Sequence, residues 1–316
     1  MVGGDGADTL TIDGGNEMTV NAGGSEDKIT VSAGKRHVIN GEAGNDEIEV
    51  SAGEVDTVNG GDGKDRITIS GGRWNKAYGE GWNDEILITG GEQHTAMGGN
   101  GSDTIRVAAG SGHQLYGGQG TDTIIVEATA GDGILVNGGE FNDTLTVHGG
   151  NNHTVVGGDG ADTITLDGGN GMTVNAGGSE DKITVSAGND HVINGDAGHD
   201  EIEISAGEGV TVNGGDGKDK ITISGGEGVV VNGEGWNDEV IITGGENHAV
   251  TGGNGNDTIR VAQGSGHRLY GGSGADKITV EATAGNELWL EGGTGPDNYI
   301  INLPVTKNTN LKPQIV

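Results

Sequence analysis

Gly60-Gly61-Asp62-Gly63-Lys64-Asp65 followed by Arg66-Ile67-Thr68-Ile69 is the stretch that decides how the chain folds. The first six residues have the composition of a tight turn, since Gly reaches positive φ at no steric cost and Asp bonds to nearby backbone. The next four alternate polar and apolar, which is the strand period. Moving outward by 19 residues in either direction finds the pattern again. Loops of this kind begin at Gly3, Ala22, Gly41, Gly60, Gly79, Gly98, Gly117, Gly138, Gly157, Ala176, Gly195, Gly214, Gly233, Gly252, Gly271 and Gly292, and every one ends in Asp. A period near 20 residues predicts a solenoid, in which each repeat buries its inner face only against its neighbours.

Each unit reads as loop, strand, Gly-containing turn and second strand, for example Gly41 to Asp46, Glu47 to Val50, Ser51-Ala52-Gly53, then Asp56 to Asn59. The expected fold is therefore all-β, a parallel β-solenoid of about sixteen 19-residue coils with two strands per coil. Its inward columns are Leu10, Ile29, Ile48, Ile67, Ile86, Ile105, Ile124 and Leu145, joined by Ile12, Val31, Val50, Ile69, Ile88, Val107, Val126 and Val147. The return strand adds Val20, Ile39, Val58, Ala77, Ala96, Leu115, Val136 and Val155. At about 4.8 Å per layer, sixteen coils predict a rod about 75 Å long.

A longer repeat overlies the short one. Gly157-Gly158-Asp159-Gly160-Ala161-Asp162 restates Gly3-Gly4-Asp5-Gly6-Ala7-Asp8, and the inserts Glu127-Ala128-Thr129-Ala130-Gly131 and Glu281-Ala282-Thr283-Ala284-Gly285 match. The expected organisation is one continuous solenoid over 1–301 built of two eight-coil blocks, 3–156 and 157–301. The segment 302–316 loses the repeat and carries Pro304 and Pro313, as a cap or linker does.

Composition narrows the functions. The 69 Gly among 316 residues and the 3% aromatics leave only thin apolar layers for a core. The net charge of −32 opposes nucleic acid and anionic membranes and strains a compact fold unless cations bind. Cysteine is absent, so neither disulfides nor thiolate metal sites are available. No apolar run approaches a membrane span, and Met1-Val2 leads straight into a loop, so a signal peptide is expected to be absent or removed. No nucleophile paired with a base, no phosphate loop with Lys and no isolated carboxylate pair marks an enzyme. Insertions of two residues are too short to build the grooves in which catalytic β-solenoids keep their sites.

The loops suit a hard cation. Glycines aim backbone carbonyls at one point, and Asp adds an anionic oxygen of the kind Ca²⁺ prefers. One loop is too short to supply six to eight oxygens, so each ion is expected between successive coils. The candidate ligands are Asp8, Asp27, Asp46, Asp65, Asp84, Asp103, Asp122, Asp143, Asp162, Asp181, Asp200, Asp219, Asp238, Asp257, Asp276 and Asp297. Sixteen loops leave fifteen gaps, and fifteen Ca²⁺ would nearly cancel the charge of −32. Loops with Ser25, Trp82, Phe141, Ser179 or Trp236 at the fourth position are expected to be weaker, because a side chain there disfavours left-handed backbone. Glu42 and Asp196 replace the second Gly in two others and add either a ligand or surface charge.

Nine loops have the full Gly-Gly-x-Gly-x-Asp form, those starting at 3, 60, 98, 117, 157, 214, 252, 271 and 292. The run resembles the calcium-binding repeats of RTX proteins. RTX repeats usually place a nonapeptide on both sides of the coil, whereas here a plain turn such as Ser51-Ala52-Gly53 lies opposite each loop. This layout is similar to the ice-binding region of a giant bacterial RTX adhesin, and the similarity covers almost the whole chain. It implies a secreted rod with Ca²⁺ along one edge. In that family Thr at the third loop position and Asn or Asp at the fifth form the ice-binding row. Here the third position holds Asp5, Gly24, Ala43, Asp62, Gly81, Asn100, Gln119 and Glu140 in the first block, with Thr only at Thr294, so ice binding does not carry over.

Three further columns read as structural. His37, His94, His113, His153, His191, His248 and His267 fall in one column, interrupted by Met18, Asp56, Lys76, Val210 and Val229, which breaks any metal ladder. Thr9, Lys28, Glu47, Arg66 and Glu85, and in the second block Thr163, Lys182, Glu201, Lys220 and Glu239, set opposite charges on adjacent coils. Asn21, Asn40, Asn59, Asn175, Asn194, Asn213 and Asn232 are placed for amide ladders. The expected function is a calcium-stabilised extracellular rod or spacer of a bacterial adhesin or surface-layer protein, not an enzyme, with end-to-end self-association possible. The alternatives are a surface-binding module for ice, mineral or polysaccharide, or an accessory module of a secreted enzyme.

Overall fold

A computed structural model describes residues 1–281 and 283–302, so the expected cap or linker lies almost wholly outside the described residues. The chain divides into two compact units, one of Met1–Asp159 and one beginning at Gly160. Both are parallel β-solenoids, about sixteen turns in all, and the described residues contain no helix.

In the first unit the strands alternate between two parallel sheets. The coil quoted above runs from strand Thr57–Asp62 through the loop into strand Arg66–Ile69, and then to Lys76–Gly81 in the first sheet. Each strand pairs with its equivalent one coil away at an offset of 19: Ile48 lies beside Ile67 and Ile67 beside Ile86. Where the two-residue insert falls, the offset becomes 21 and pairs Ile124 with Leu145 without breaking register. The insert is absorbed in the plain turn, where the Ala130 N–H donates to the Glu127 carbonyl.

The second unit repeats this build. Lys182–Val185 pairs with Glu201–Ile204, which pairs with Lys220–Ile223, and its late insert shifts Ile278 onto Tyr299.

Alternation decides the core. Along Glu47–Val50, Ile48 and Val50 are fully buried while Glu47 and Glu49 are exposed. Side chains two apart face the same way, so stacking the coils joins Ile48, Ile67 and Ile86 into one apolar column. Among the described residues, the outermost members of the inner columns escape burial: Leu10 in the first unit and Tyr299 in the second are half-buried, and Ile301 is exposed.

Outside the core, the outward columns pair as their spacing predicts. Lys28 and Glu47 bridge at 2.8 Å, and Lys220 and Glu201 at 2.7 Å. The Lys28 contact holds the Glu47 carboxyl below its usual range, and the Lys220 contact does the same for Glu201. Asn40 Nδ2 donates to Asn21 and Asn59 to Asn40, both at 2.7 Å, and the second unit carries a ladder from Asn175 to Asn232.

Two details differ from expectation. The return strand begins one residue later and runs three residues into the loop, as Thr57–Asp62 rather than Asp56 to Asn59. Pairing survives there because the ladder passes over the first loop residue: Asn40 faces Asn59 and Glu42 faces Gly61, with no step at Gly41. The polar column also contains Asn75, not Lys76. Asn75 is buried and its Oδ1 accepts the Asp56 N–H at 3.0 Å, while Lys76 points outward.

Candidate calcium edge

The loop Asp closes its six-residue turn and then enters a strand, so its carboxylate is held at the corner of the coil. In the first unit the backbone N–H of each loop Asp from Asp8 to Asp122 donates to Oδ1 of the next, from Asp8 to Asp27 at 2.7 Å through Asp46 to Asp65 at 2.8 Å and Asp84 to Asp103 at 2.7 Å. The second unit has the same chain, with Asp181 donating to Asp200 at 2.8 Å and Asp219 to Asp238 at 2.9 Å. One oxygen of each accepting carboxylate is thus committed to holding two coils together.

The other oxygen is stranded. Oδ2 of Asp27, Asp46, Asp65, Asp84, Asp103 and Asp122 in the first unit is buried with no hydrogen-bond partner, and so is Oδ2 of Asp181, Asp200, Asp219, Asp238, Asp257 and Asp276 in the second. Buried polar atoms are almost always paired, so twelve repeats of the same orphan require an explanation.

Backbone oxygens share that space. A Cβ built on Gly41 would collide with Asp46 Oδ2 and with the carbonyl oxygen of Gly60 in the following coil. The same pair of oxygens faces Gly60, Gly79 and Gly117, and in the second unit Gly195, Gly214, Gly233, Gly252 and Gly271, while Gly98 faces Asp103 Oδ2. Two oxygens converging on a space without a donor repel each other, and a hard cation reverses the sign of that contact. The donor set fits Ca²⁺, which takes oxygen ligands from carboxylates and carbonyls alike. No three carboxylate, thiol or imidazole groups converge at one point among the described residues, so any ion here must rely largely on backbone carbonyls.

Electrostatics agree. Burial pushes the Asp84 carboxyl up to about 7, against the lowering effect of the Asp65 N–H bond, with Asp65, Asp103 and Glu80 adding repulsion. Burial likewise raises Asp65 to about 6, and Asp181, Asp200 and Asp238 to about 7. Without a counter-charge these carboxylates resist ionisation.

All sixteen predicted Asp residues stand at this corner of their coils; Asp8 and Asp297, in the outermost loops, are only half-buried. The fourth-position side chains do not prevent the left-handed turn. Ser25, Trp82, Phe141, Ser179 and Trp236 take φ of 92, 78, 77, 87 and 78°. Each costs about 1 kcal/mol relative to Gly, and the surrounding coils impose it.

At the second position the sequence reading missed two residues. Glu80 and Glu234, like Glu42 and Asp196, replace a loop Gly at positive φ and are exposed. Aligning the loops by position rather than by motif would have found them. Glu80 raises the Asp65 and Asp84 carboxyls and Asp196 raises those of Asp181 and Asp200, so these residues deepen the demand for a cation.

The histidine column lies at the opposite turn and is structural. Its Nδ1 atoms accept backbone N–H groups from the preceding coil, Ile134 to His153 at 2.9 Å and Met172 to His191 at 3.2 Å. That bond places the proton on Nε2, which donates to the Gly149 carbonyl from His153 at 2.9 Å and to Ala187 from His191 at 3.2 Å. Burial pulls His94 and His267 down to about 4, helped by their stacked neighbours His113 and His248.

Comparison with known proteins agrees with this geometry. The profile of the RTX calcium-binding nonapeptide repeat matches residues 38–54, 129–154, 137–172, 173–202 and 235–267. The chain is a parallel β-solenoid that carries RTX-type calcium-binding repeats. Its fold is similar to the X-ray crystal structure of a hyperactive, Ca²⁺-dependent, β-helical antifreeze protein from an Antarctic bacterium. The TM-score is 0.62 at 19% identity, covering 87% of this chain and 84% of that one. No curated protein matches the chain.

Proposed function

We propose that the chain is a calcium-stabilised extracellular rod or spacer of the kind found in bacterial adhesins and surface-layer proteins. The observation that carries this reading is the row of twelve buried, unpartnered Asp Oδ2 atoms, six in each unit, most of them facing a backbone carbonyl of the following coil. The sixteen loop Asp residues are the proposed ligands, with up to about one ion per gap between successive loops of a unit.

Calcium would then couple folding to location. An acidic, Gly-rich chain with a thin core is poorly folded where calcium is scarce and folds where it is plentiful, because binding free energy becomes folding free energy. A coil-repeat protein of this kind acts by length and stiffness, and end-to-end self-association through unpaired strand edges is part of this reading.

The test is a calcium titration of EDTA-treated protein followed by far-UV circular dichroism and thermal melting, with magnesium as control. A cooperative, calcium-specific gain of β signal is expected. A chain already folded and unmoved by calcium would reject the reading. Surface binding is the second reading, favoured by the exposed tryptophans of the calcium edge. The antifreeze activity of the structural neighbour is not transferred, because the third loop position lacks a Thr row.

A further inference from the structure

Trp236 stands at the fourth position of its loop, 69% exposed and in left-handed backbone that most other loops give to Gly. Beside it is a shallow groove of about 440 Å³ lined by Glu180, His199, Asp216 and Trp236, with Gly198 and Gly217 forming its floor. All four side chains are exposed. His199 Nδ1 accepts the Lys218 N–H at 2.7 Å, which leaves its Nε2–H as a donor to the groove.

The same repeat positions in the first unit carry Glu26, Asn45, Asp62 and Trp82, all exposed, with Trp82 at 70%. Asn45 takes the place of His199 and its Oδ1 accepts the Lys64 N–H at 2.8 Å. Other exposed indole and phenyl rings were not kept between the blocks: Trp74 corresponds to Gly228, Phe141 to Gly295 and Trp289 to Leu135. Tyr270 corresponds to the half-buried Tyr116, but both lie within strands and not at a strained loop position. A tryptophan held twice at a strained, solvent-facing position points to a use for its exposed face.

We propose that the Trp236 groove, and its counterpart at Trp82, bind a neutral saccharide, one sugar ring stacking on the indole while its hydroxyls bond to the flanking carboxylates and to His199 or Asn45. The chemistry selects this partner. An indole face carries negative potential and attracts the weakly positive C–H face of a sugar ring. Carboxylates accept hydroxyl hydrogen bonds on either side, and the net charge of −32 rejects polyanions. A single open indole lacks the several aromatic walls that a cage for a quaternary ammonium needs. The groove exists only when the loops are ordered, so this site rests on the calcium-loaded solenoid proposed above.

The experiment uses the full chain in excess calcium, with its β signal verified first, so that a folding failure is seen separately. Retention is measured on cellulose, chitin, β-mannan and dextran, with alginate as the anionic comparison. Wild-type protein is expected to be retained by at least one neutral glycan. The double variant Trp82→Gly/Trp236→Gly should bind it at least about tenfold more weakly. Gly is native at this position in loops such as Gly63 and Gly217, so the variant keeps the fold. Trp74→Gly, which lies off the groove, should bind as wild type. The proposal is overturned if folded protein is retained by no neutral glycan, if only alginate retains it, or if the double variant binds undiminished. It also fails if the substitutions change only sedimentation, which would assign the tryptophans to self-association.

Discussion

The backbone N–H of Asp46 donates to Asp65 Oδ1 at 2.8 Å, and Asp65 Oδ2 is left buried without a partner. One carboxylate therefore has two jobs: a coil-to-coil hydrogen bond that needs no metal, and an oxygen that is satisfied only by a cation.

Separating those jobs gives the first prediction. Asp65→Asn keeps an acceptor for the Asp46 N–H but removes a buried negative charge. In EDTA the variant should be more stable than wild type by on the order of 1 kcal/mol, because burial opposes the charged form. In excess calcium it should be less stable and bind at least one ion fewer. Chemical denaturation with and without calcium, with metal content measured alongside, checks both signs.

Space at the first loop position is equally testable. In Gly60→Ala the added Cβ enters the region faced by Asp65 Oδ2 and the Gly79 carbonyl, so calcium-loaded stability should fall by about 1–3 kcal/mol. Gly81 meets nothing within 4 Å of a built Cβ, and Gly81→Ala should change stability by less than about 0.5 kcal/mol. Melts of the two variants side by side decide it; equal losses would mean that the first-position cradle is not special.

The histidine column carries a pH dependence. Burial places the folded-state value of His94 at about 4, below its ordinary 6.5. Its contribution to stability is therefore complete above pH 6.5 and is lost as pH falls from 6.5 through about 4. Asn75 shows that Asn can serve in this column as an acceptor. His94→Asn should match wild type near pH 7.5 and exceed it by on the order of 2 kcal/mol at pH 5 in the same calcium. Ring chemical shifts of His94 that titrate near 6.5 in the folded protein would contradict this.

At the turn opposite the calcium edge the two blocks differ in charge order. Lys35, Glu54, Arg73 and Glu92 alternate in sign in the first unit, with ion pairs between Lys35 and Glu54 and between Arg73 and Glu92. In the second unit the bridged residues Glu208, Glu227 and Glu246 are all acidic. Glu227→Arg should stabilise the protein by about 0.2–1 kcal/mol at low salt, and the gain should shrink at high salt. Thermal melts at two ionic strengths measure it.

The period, the two sheets, the inward columns from Leu10 to Val155 and the sixteen corner Asp residues were all legible in the linear chain. Solenoid contacts are made at a fixed separation, so Ile48 on Ile67 on Ile86 follows from reading every nineteenth residue. The Asn and charge ladders were legible for the same reason. Strand ends were less so. Gly61 and Asp62 look like turn residues by composition, yet they pair in the sheet because the neighbouring coil supplies their hydrogen-bond partners.

What the chain by itself determined was the repeat: which residues face inward, where each coil turns, and that an acidic oxygen stands at every loop. Only the tertiary structure decided how each oxygen is used. Whether Asp65 Oδ1 meets a neighbouring N–H while Oδ2 meets a carbonyl depends on how closely two coils stack, and whether Trp236 accepts left-handed backbone depends on the packing around it. Local composition sets propensities of about 1 kcal/mol per residue. The contacts between adjacent coils, repeated along the solenoid, outweigh them.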